Sequence, residues 1–107
     1  MPIKVLIKRQ FKEGYIKEIN KVIKEIRFAA MDQEGYITSE TMWDYKNPFR
    51  VVIVSNWRGI AYWNKWKNSD LRKSIDQKFK EFLSDETEYE IFSLGVNPPL
   101  ENQNNIP

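Results

Sequence analysis

The run Val51-Val52-Ile53-Val54 constrains the fold more than any other part of the chain. It lies in the segment FRVVIVSNW (residues 49–57), whose β-branched and aromatic composition is typical of a strand. Neighbouring side chains on a strand point to opposite faces, so consecutive apolar residues predict a strand that is covered on both faces. Helices of the same chain can cover one face of its sheet. The other face requires a further layer.

Strand and helix patterns alternate around this segment. The predicted strands cover residues 2–10, 35–45, 49–57 and 87–95. The predicted helices cover residues 15–31, a short stretch after Gly59, and a stretch that begins at the capping pair Ser69-Asp70. The last helix is predicted to pack through one apolar face, formed by Leu71, Ile75, Phe79 and Phe82.

The order β-α-β-β-α-β predicts an α+β fold of the ferredoxin-like class, a four-stranded antiparallel sheet with its helices on one face. A second copy of the chain is the simplest cover for the other face, so we expect a homodimer through the sheet. A length of 107 residues fits one domain. We expect residues 1–96 to form it, and the Pro-, Asn- and Gln-rich residues 97–107 to form an extended or disordered tail.

The chain contains neither cysteine nor histidine. The first absence excludes disulfides, zinc–thiolate sites and a thiol nucleophile. The second removes the commonest general base, metal ligand and haem ligand. We therefore expect no metal site and no cofactor.

Charge and hydropathy narrow the class of partner. Seventeen basic and fifteen acidic residues are interspersed, and a net charge of +2 without a basic stripe does not favour a nucleic-acid partner. No segment approaches the roughly 20 apolar residues of a membrane span. We expect a cytoplasmic location and no membrane partner.

Three of the four tryptophans, Trp57, Trp63 and Trp66, lie within SNWRGIAYWNKWKNSD (residues 55–70), with Tyr62 beside them. Core packing is the commoner role for such aromatic residues, and we expect it for Trp57 and Trp63. Trp66 and Tyr62 are equally suited to the wall of a ligand pocket. Base stacking is disfavoured, because most of the indoles are on a helix that should face its own sheet.

The block GYITSETMWDYKNPFRVVIVSNWRGIAYWNKWKNSDLRKSI (residues 35–75) resembles the central signature of the antibiotic biosynthesis monooxygenase (ABM) family. A Gly-Tyr-Ile strand and an Asn-Pro hairpin precede an apolar strand ending in tryptophan, and an aromatic short helix and a capped second helix follow. The resemblance extends over about residues 2–95. It implies a ferredoxin-like fold paired into a dimeric α+β barrel, and oxidation of a small aromatic or polycyclic substrate by O2, in some members without metal, haem or flavin.

The resemblance also directs attention to particular residues. The candidate catalytic residues are Trp66, Asp76 (as a general base) and Asn56. The candidate substrate-binding residues are Tyr62, Trp63, Tyr36, Arg72 and Ile7. Together they would provide an aromatic cavity with polar groups that stabilise an oxyanion.

A second branch of the same superfamily degrades haem with an asparagine, a tryptophan and an iron-ligating histidine. Trp66 matches the tryptophan, whereas Ile7 stands at the asparagine position and Asp76 at the histidine position. Haem degradation is therefore disfavoured. A dimeric module that binds a small aromatic ligand without turnover, or a structural partner whose cavity is closed by packed indoles, remain alternatives.

Overall fold

The computed structural model describes residues 1–99, which form one four-stranded antiparallel sheet with helices against one of its faces. In chain order the elements are β1 (Ile3–Gln10), α1 (Ile16–Met31), β2 (Tyr36–Trp43), β3 (Arg50–Trp57), α2 (Ile60–Lys67), α3 (Asp70–Phe79) with a 3-10 turn over Lys80–Phe82, and β4 (Glu88–Ser93). The predicted ferredoxin-like α+β order is confirmed, with the second helical unit divided into α2 and α3. Most of the predicted tail, residues 100–107, lies outside the described residues.

The strand order is β2-β3-β1-β4, so β3 and β1 are the two central strands. Ile7 pairs with Ile53, and Leu6 pairs with Val54. Because side chains alternate, Ile7 and Ile53 lie beneath the helices while Leu6 and Val54 lie on the uncovered face. The apolar run of β3 therefore contributes to both faces, and its outward members are only half-buried.

The core lies between the sheet and the helices, and its central aromatic residue is Trp57, which is fully buried at the end of β3. The indole Nε1 of Trp57 donates a hydrogen bond of 2.6 Å to Oγ of Ser55. Trp63 and Tyr36 meet the Trp57 ring edge-on, with centroids 5.9 and 5.6 Å away. This partner for the polar edge of the indole is what permits its complete burial.

The N-terminal caps of α2 and α3 agree with the sequence. Gly59 caps α2, and Oγ of Ser69 accepts a hydrogen bond from the backbone N–H of Arg72 at the start of α3. The predicted apolar face of α3 is wrong at one position. Leu71 is 50% exposed, and Arg72 occupies the buried position beside it. The guanidinium tolerates burial because Asp76 follows at i+4 on the same face.

A close approach joins the start of β2 to α2. Gly35 has φ +85°, and a Cβ built on it would lie 2.5 Å from Cβ and 2.8 Å from Cδ1 of Tyr62. Its carbonyl also accepts a hydrogen bond of 2.8 Å from the backbone N–H of Arg58. The position requires glycine for two independent reasons, a left-handed backbone and the absence of space for a side chain.

Among residues 1–99, no helix is long and apolar enough to cross a membrane.

Candidate functional site

A cavity of about 30 Å³ lies between the sheet and the helices, next to the middle of the central strands. By volume it holds about two water molecules. Its floor is formed by Ile7, Arg9, Ser39, Thr41, Ile53 and Ser55 of the sheet. Its roof is formed by Ile23, Ile26, Arg27 and Ala30 of α1, Trp63 and Trp66 of α2, and Arg72 of α3. The lining is mostly apolar and aromatic, with a few convergent polar groups, as expected of a ligand site.

Arg72 is the most deeply buried charged residue of this lining, with 1% of its surface exposed. Its guanidinium carbon lies 5.4 and 5.8 Å from the rings of Trp63 and Trp66, within cation–π range. Its Nη2 donates a hydrogen bond of 3.2 Å to the hydroxyl of Tyr89. Its Nε lies 3.1 Å from Oδ2 of Asp76 without the alignment of a hydrogen bond, and its Nη1 has no hydrogen-bond partner among the described residues.

Arg9 is a second buried guanidinium on the cavity floor, with 3% of its surface exposed. Its Nη2 lies 3.4 Å from Oδ1 of Asp76, so one carboxylate contacts both arginines. Burial and the neighbouring charge of Arg72 lower the pKa of Arg9 from 12.5 to about 10. The surroundings therefore disfavour positive charge at this position, even with Asp76 in place.

The residues of the cavity lining that are not fully buried are Arg27 of α1 and Ser39 and Thr41 of the edge strand β2, so the cavity opens between these two elements. Nη2 of Arg27 donates a hydrogen bond of 3.1 Å to the carbonyl oxygen of Ser39 and so bridges the two elements. Arg27 is exposed, in contrast to Arg9 and Arg72. The hydroxyls of Ser39 and Ser55 already have partners, Tyr36 and Trp57 respectively.

The structure brings four of the sequence-predicted site residues together around this cavity, namely Ile7, Trp63, Trp66 and Arg72. Trp66 is 3% exposed, so it is packed rather than open to solvent. Asp76 lies behind the lining, where its two carboxylate oxygens contact Arg9 and Arg72. Its side chain is 32% exposed and borders a separate surface groove. Geometry therefore gives Asp76 the position of a counter-ion, and its role as a general base stays a prediction.

Three predicted site residues lie away from the cavity. Asn56 is on the uncovered face of the sheet, where its Nδ2 donates to Oγ1 of Thr38 at 3.0 Å. Strand alternation is the reason, because Trp57 next to it points inward. Tyr62 packs against Gly35 and borders a wider surface groove. Tyr36 packs on Trp57 and does not line the cavity.

Sequence reasoning missed Arg9 and Ser55 as lining residues, although the signal was present. Arg9 continues the inward series Ile3, Val5 and Ile7 of β1. Ser55 likewise alternates with the inward residues of β3. A polar residue at an inward position of a central strand is unusual enough to mark a cavity or a hydrogen-bond network.

A comparison with known protein families identifies the family to which this chain belongs. The sequence profile described as antibiotic biosynthesis monooxygenase (ABM) matches residues 2–82, which include β1 to β3, all three helices and every residue of the cavity lining. The chain belongs to the ABM family. No protein among those with curated functions matches it.

Solved structures support the fold of this ABM-family chain. A conserved protein from Methanosarcina mazei Go1 is 25% identical, with a TM-score of 0.80 over 86% of this chain and 91% of that one. SnoaB, a cofactor-independent oxygenase from Streptomyces nogalater, is 10% identical, with a TM-score of 0.79 over 92% and 97%. Rv0793 from Mycobacterium tuberculosis is 8% identical, with a TM-score of 0.79 over 91% and 98%. At 8–10% identity the likeness establishes the fold alone.

The residues present do not fit haem. The position that resembles the iron-ligating histidine carries Asp76, whose two oxygens contact Arg9 and Arg72, and the whole sequence lacks histidine. In residues 1–99, no three carboxylate, histidine or cysteine side chains are grouped in a way that could hold a metal ion.

Proposed function

We propose that this ABM-family protein is a monooxygenase that oxidises a small aromatic or polycyclic substrate with O2, without metal or haem. The observation that carries the proposal is the cavity in which Trp63 and Trp66 flank the buried guanidinium of Arg72. SnoaB, which shares the fold, is described as a cofactor-independent oxygenase. We assign this function to the domain formed by residues 1–96.

The chemistry requires little more than such a cavity. An anthrone, for example, loses a proton from its methylene carbon to give an anion with its charge on the ring-bound oxygen. This anion reduces O2. One oxygen atom becomes a new carbonyl on the methylene carbon, and the other leaves as water with the two hydrogens of that carbon. The protein must stabilise the anion and exclude other water.

Residues of the cavity have distinct roles in this proposal. Arg72 stabilises the anionic oxygen, because it is a buried cation with an unpartnered Nη1. Trp66 and Trp63 hold the aromatic rings. In this scheme solvent water takes the proton at the mouth, because no carboxylate of residues 1–99 lines the cavity. A polycyclic substrate also requires α1 to separate from β2, since the cavity holds about two waters.

Oxygen uptake with an anthrone as substrate tests the proposal. We expect wild-type protein to consume O2 in proportion to substrate, and Trp66→Phe to lower kcat/KM by about tenfold, because the smaller ring holds the substrate less precisely. Trp43→Phe is the matched control, since Trp43 is 37% exposed on the edge strand. Wild-type activity in Trp66→Phe would remove Trp66 from the site. The absence of uptake across a panel of anthrones and hydroquinones would refute the monooxygenase.

A non-catalytic ligand-binding module is the second candidate. The observation that favours it is the lack of a proton acceptor in the lining, because no carboxylate of residues 1–99 lines the cavity and its charged residues are arginines. In this case a small aromatic ligand binds and is not consumed. Binding without oxygen uptake in the assay above would identify this function.

We further propose that the protein is a homodimer through the uncovered face of its sheet, as in an α+β barrel. Each of the four strands contributes at least one apolar residue to this face, namely Leu6, Met42, Val52, Val54 and Phe92. Charged residues surround them, including the ion pair of Lys8 with Glu90. An apolar patch with a charged rim is typical of an interface between subunits.

Val54→Lys is expected to convert the dimer to a monomer, because a long charged side chain at the centre of the proposed interface cannot pack against the second copy, even with Glu40 opposite it on β2. Light scattering coupled to size-exclusion chromatography measures the mass directly. Leu71→Lys is the matched control, since Leu71 is an exposed apolar residue on the helical side. A monomeric wild type, or a dimeric Val54→Lys variant, would contradict this interface.

A further inference from the structure

The cavity has an excess of positive charge that the fold itself does not neutralise. Arg9, Arg27 and Arg72 line it, and no acidic residue among those described does. The one carboxylate that contacts Arg9 and Arg72 is Asp76, which lies behind the lining and is shared between them. Among residues 1–99, the two buried guanidiniums have one contacting carboxylate between them, so one positive charge lacks a partner in contact.

Besides Asp76, the groups that contact Arg72 are neutral or aromatic, whereas Asp85 and Glu86 share a surface groove with Arg9 and Asp76 and do not line the cavity. The hydroxyl of Tyr89 accepts one hydrogen bond from Arg72, and the indoles of Trp63 and Trp66 flank its guanidinium. Ser55 on the floor is occupied by the indole N–H of Trp57. Within residues 1–99, Nη1 of Arg72 has no hydrogen-bond partner. A buried cation with a free donor is costly unless a ligand pairs with it.

We infer that the cavity binds the carboxylate of an aromatic acid, with the carboxylate on the guanidinium of Arg72 and the aromatic ring at the mouth beside Arg27. A carboxylate provides two oxygens, one of which can accept a charge-assisted hydrogen bond from the free Nη1 of Arg72. Those two oxygens match a space that holds about two waters, whereas the four oxygens of a phosphate exceed it. Arg27 at the mouth favours an aromatic acid over an aliphatic one, because a guanidinium stacks on the face of an aromatic ring.

This inference rests on the same cavity as the proposed function and names a class of ligand for it, because the carboxylate takes the place on Arg72 that the anionic ring oxygen takes in the proposed reaction. It does not depend on turnover, since the binding of an acid can be measured without any oxygen uptake. The two proposals can therefore fail separately. Binding without uptake would leave the aromatic acid in place and remove the monooxygenase. Oxygen uptake with an uncharged anthrone, in a protein that binds no aromatic acid, would support the monooxygenase and remove the aromatic acid.

Titration calorimetry with 2-naphthoate and with the uncharged 2-naphthamide tests the charge requirement at almost constant shape. We expect the carboxylate to bind at least tenfold more tightly than the amide, and inorganic phosphate not to compete with it. In amide NMR spectra the indole N–H signals of Trp63 and Trp66 should shift, while that of the exposed Trp43 should not. Equal affinities for naphthoate and naphthamide, or displacement by phosphate, would overturn the inference.

Arg72→Met should lower the affinity for 2-naphthoate at least tenfold. The variant is expected to fold, because removing Arg72 leaves Arg9 and Asp76 as a one-to-one pair. Lys73→Met is the matched control, since it removes the same charge from the next, exposed residue of α3 and should bind as wild type does. Arg9→Met is a second variant, because it removes a positive charge from the cavity floor instead of the roof. It should also lower the affinity for 2-naphthoate at least tenfold. Unchanged binding in Arg72→Met would also overturn the inference.

Discussion

Replacing Gly35 with alanine is expected to lower the free energy of unfolding by about 3 kcal/mol, which is a large part of the stability of a small domain. About 1–2 kcal/mol comes from the left-handed backbone, since Gly35 has φ +85°. The rest comes from overlap with Tyr62, whose Cβ would lie 2.5 Å from the new methyl group. Neither the strand end nor α2 can relieve this overlap without disturbing the packing beside Trp57.

Gly14→Ala is the matched control for the alanine substitution. Gly14 also has a positive φ, +97°, but nothing lies within 4 Å of a Cβ placed on it. It should therefore lose only the backbone contribution, about 1 kcal/mol. Urea unfolding of both variants measures the difference. Equal losses would show that Tyr62 moves aside and that the contact between β2 and α2 is looser than the structure indicates.

Asp76→Asn is the second substitution with a large expected effect, a loss of about 2–3 kcal/mol in the free energy of unfolding. It removes the one carboxylate that contacts the two buried guanidiniums of Arg9 and Arg72. Breaking a fully buried ion pair in this way typically costs 3–5 kcal/mol. We expect less here, because the side chain of Asp76 is 32% exposed.

Asp70→Asn is the control for the loss of a carboxylate on the same helix. Asp70 is exposed in the first turn of α3 and has no ion-pair partner among the described residues, so its interaction with the helix dipole predicts a loss of about 0.5 kcal/mol. Similar losses in the two variants would show that Asp76 does not neutralise the arginines.

The oxygen uptake of folded Asp76→Asn also tests the general base that the sequence predicts. Activity should disappear if Asp76 removes the substrate proton, and persist if it acts only as a counter-ion.

Sequence patterns were sufficient for the fold because each element has a strong local signal. The alternation in β1, the apolar run of β3 and the cap at Ser69 predict elements that the structure contains. The phase of a short helix is less certain. α3 presents Arg72 to the core in place of Leu71, because Asp76, one turn later on the same helix, provides the carboxylate that Arg72 shares with Arg9.

The candidate site was only partly predictable, because local sequence patterns do not show which elements meet around the cavity. Ile7, Trp63, Trp66 and Arg72 were chosen from the sequence, and the structure places them around one cavity. Asn56 was separated from it by strand alternation, which a sequence fixes only once the inward face is known. The pairing of Arg9 with Asp76 joins β1 to α3 across most of the chain, and no local pattern predicts such a contact.

The central position of β1 affects how the chain assembles during its synthesis. Only β2 and β3 form a local hairpin, whereas Ile3 pairs with Ser93 near the opposite end of the described chain. Contacts of this range close late, because a long loop must be ordered first. Until β4 emerges from the ribosome, one edge of β1 has no strand beside it and can pair with another nascent chain. The final strand therefore protects the first one from aggregation.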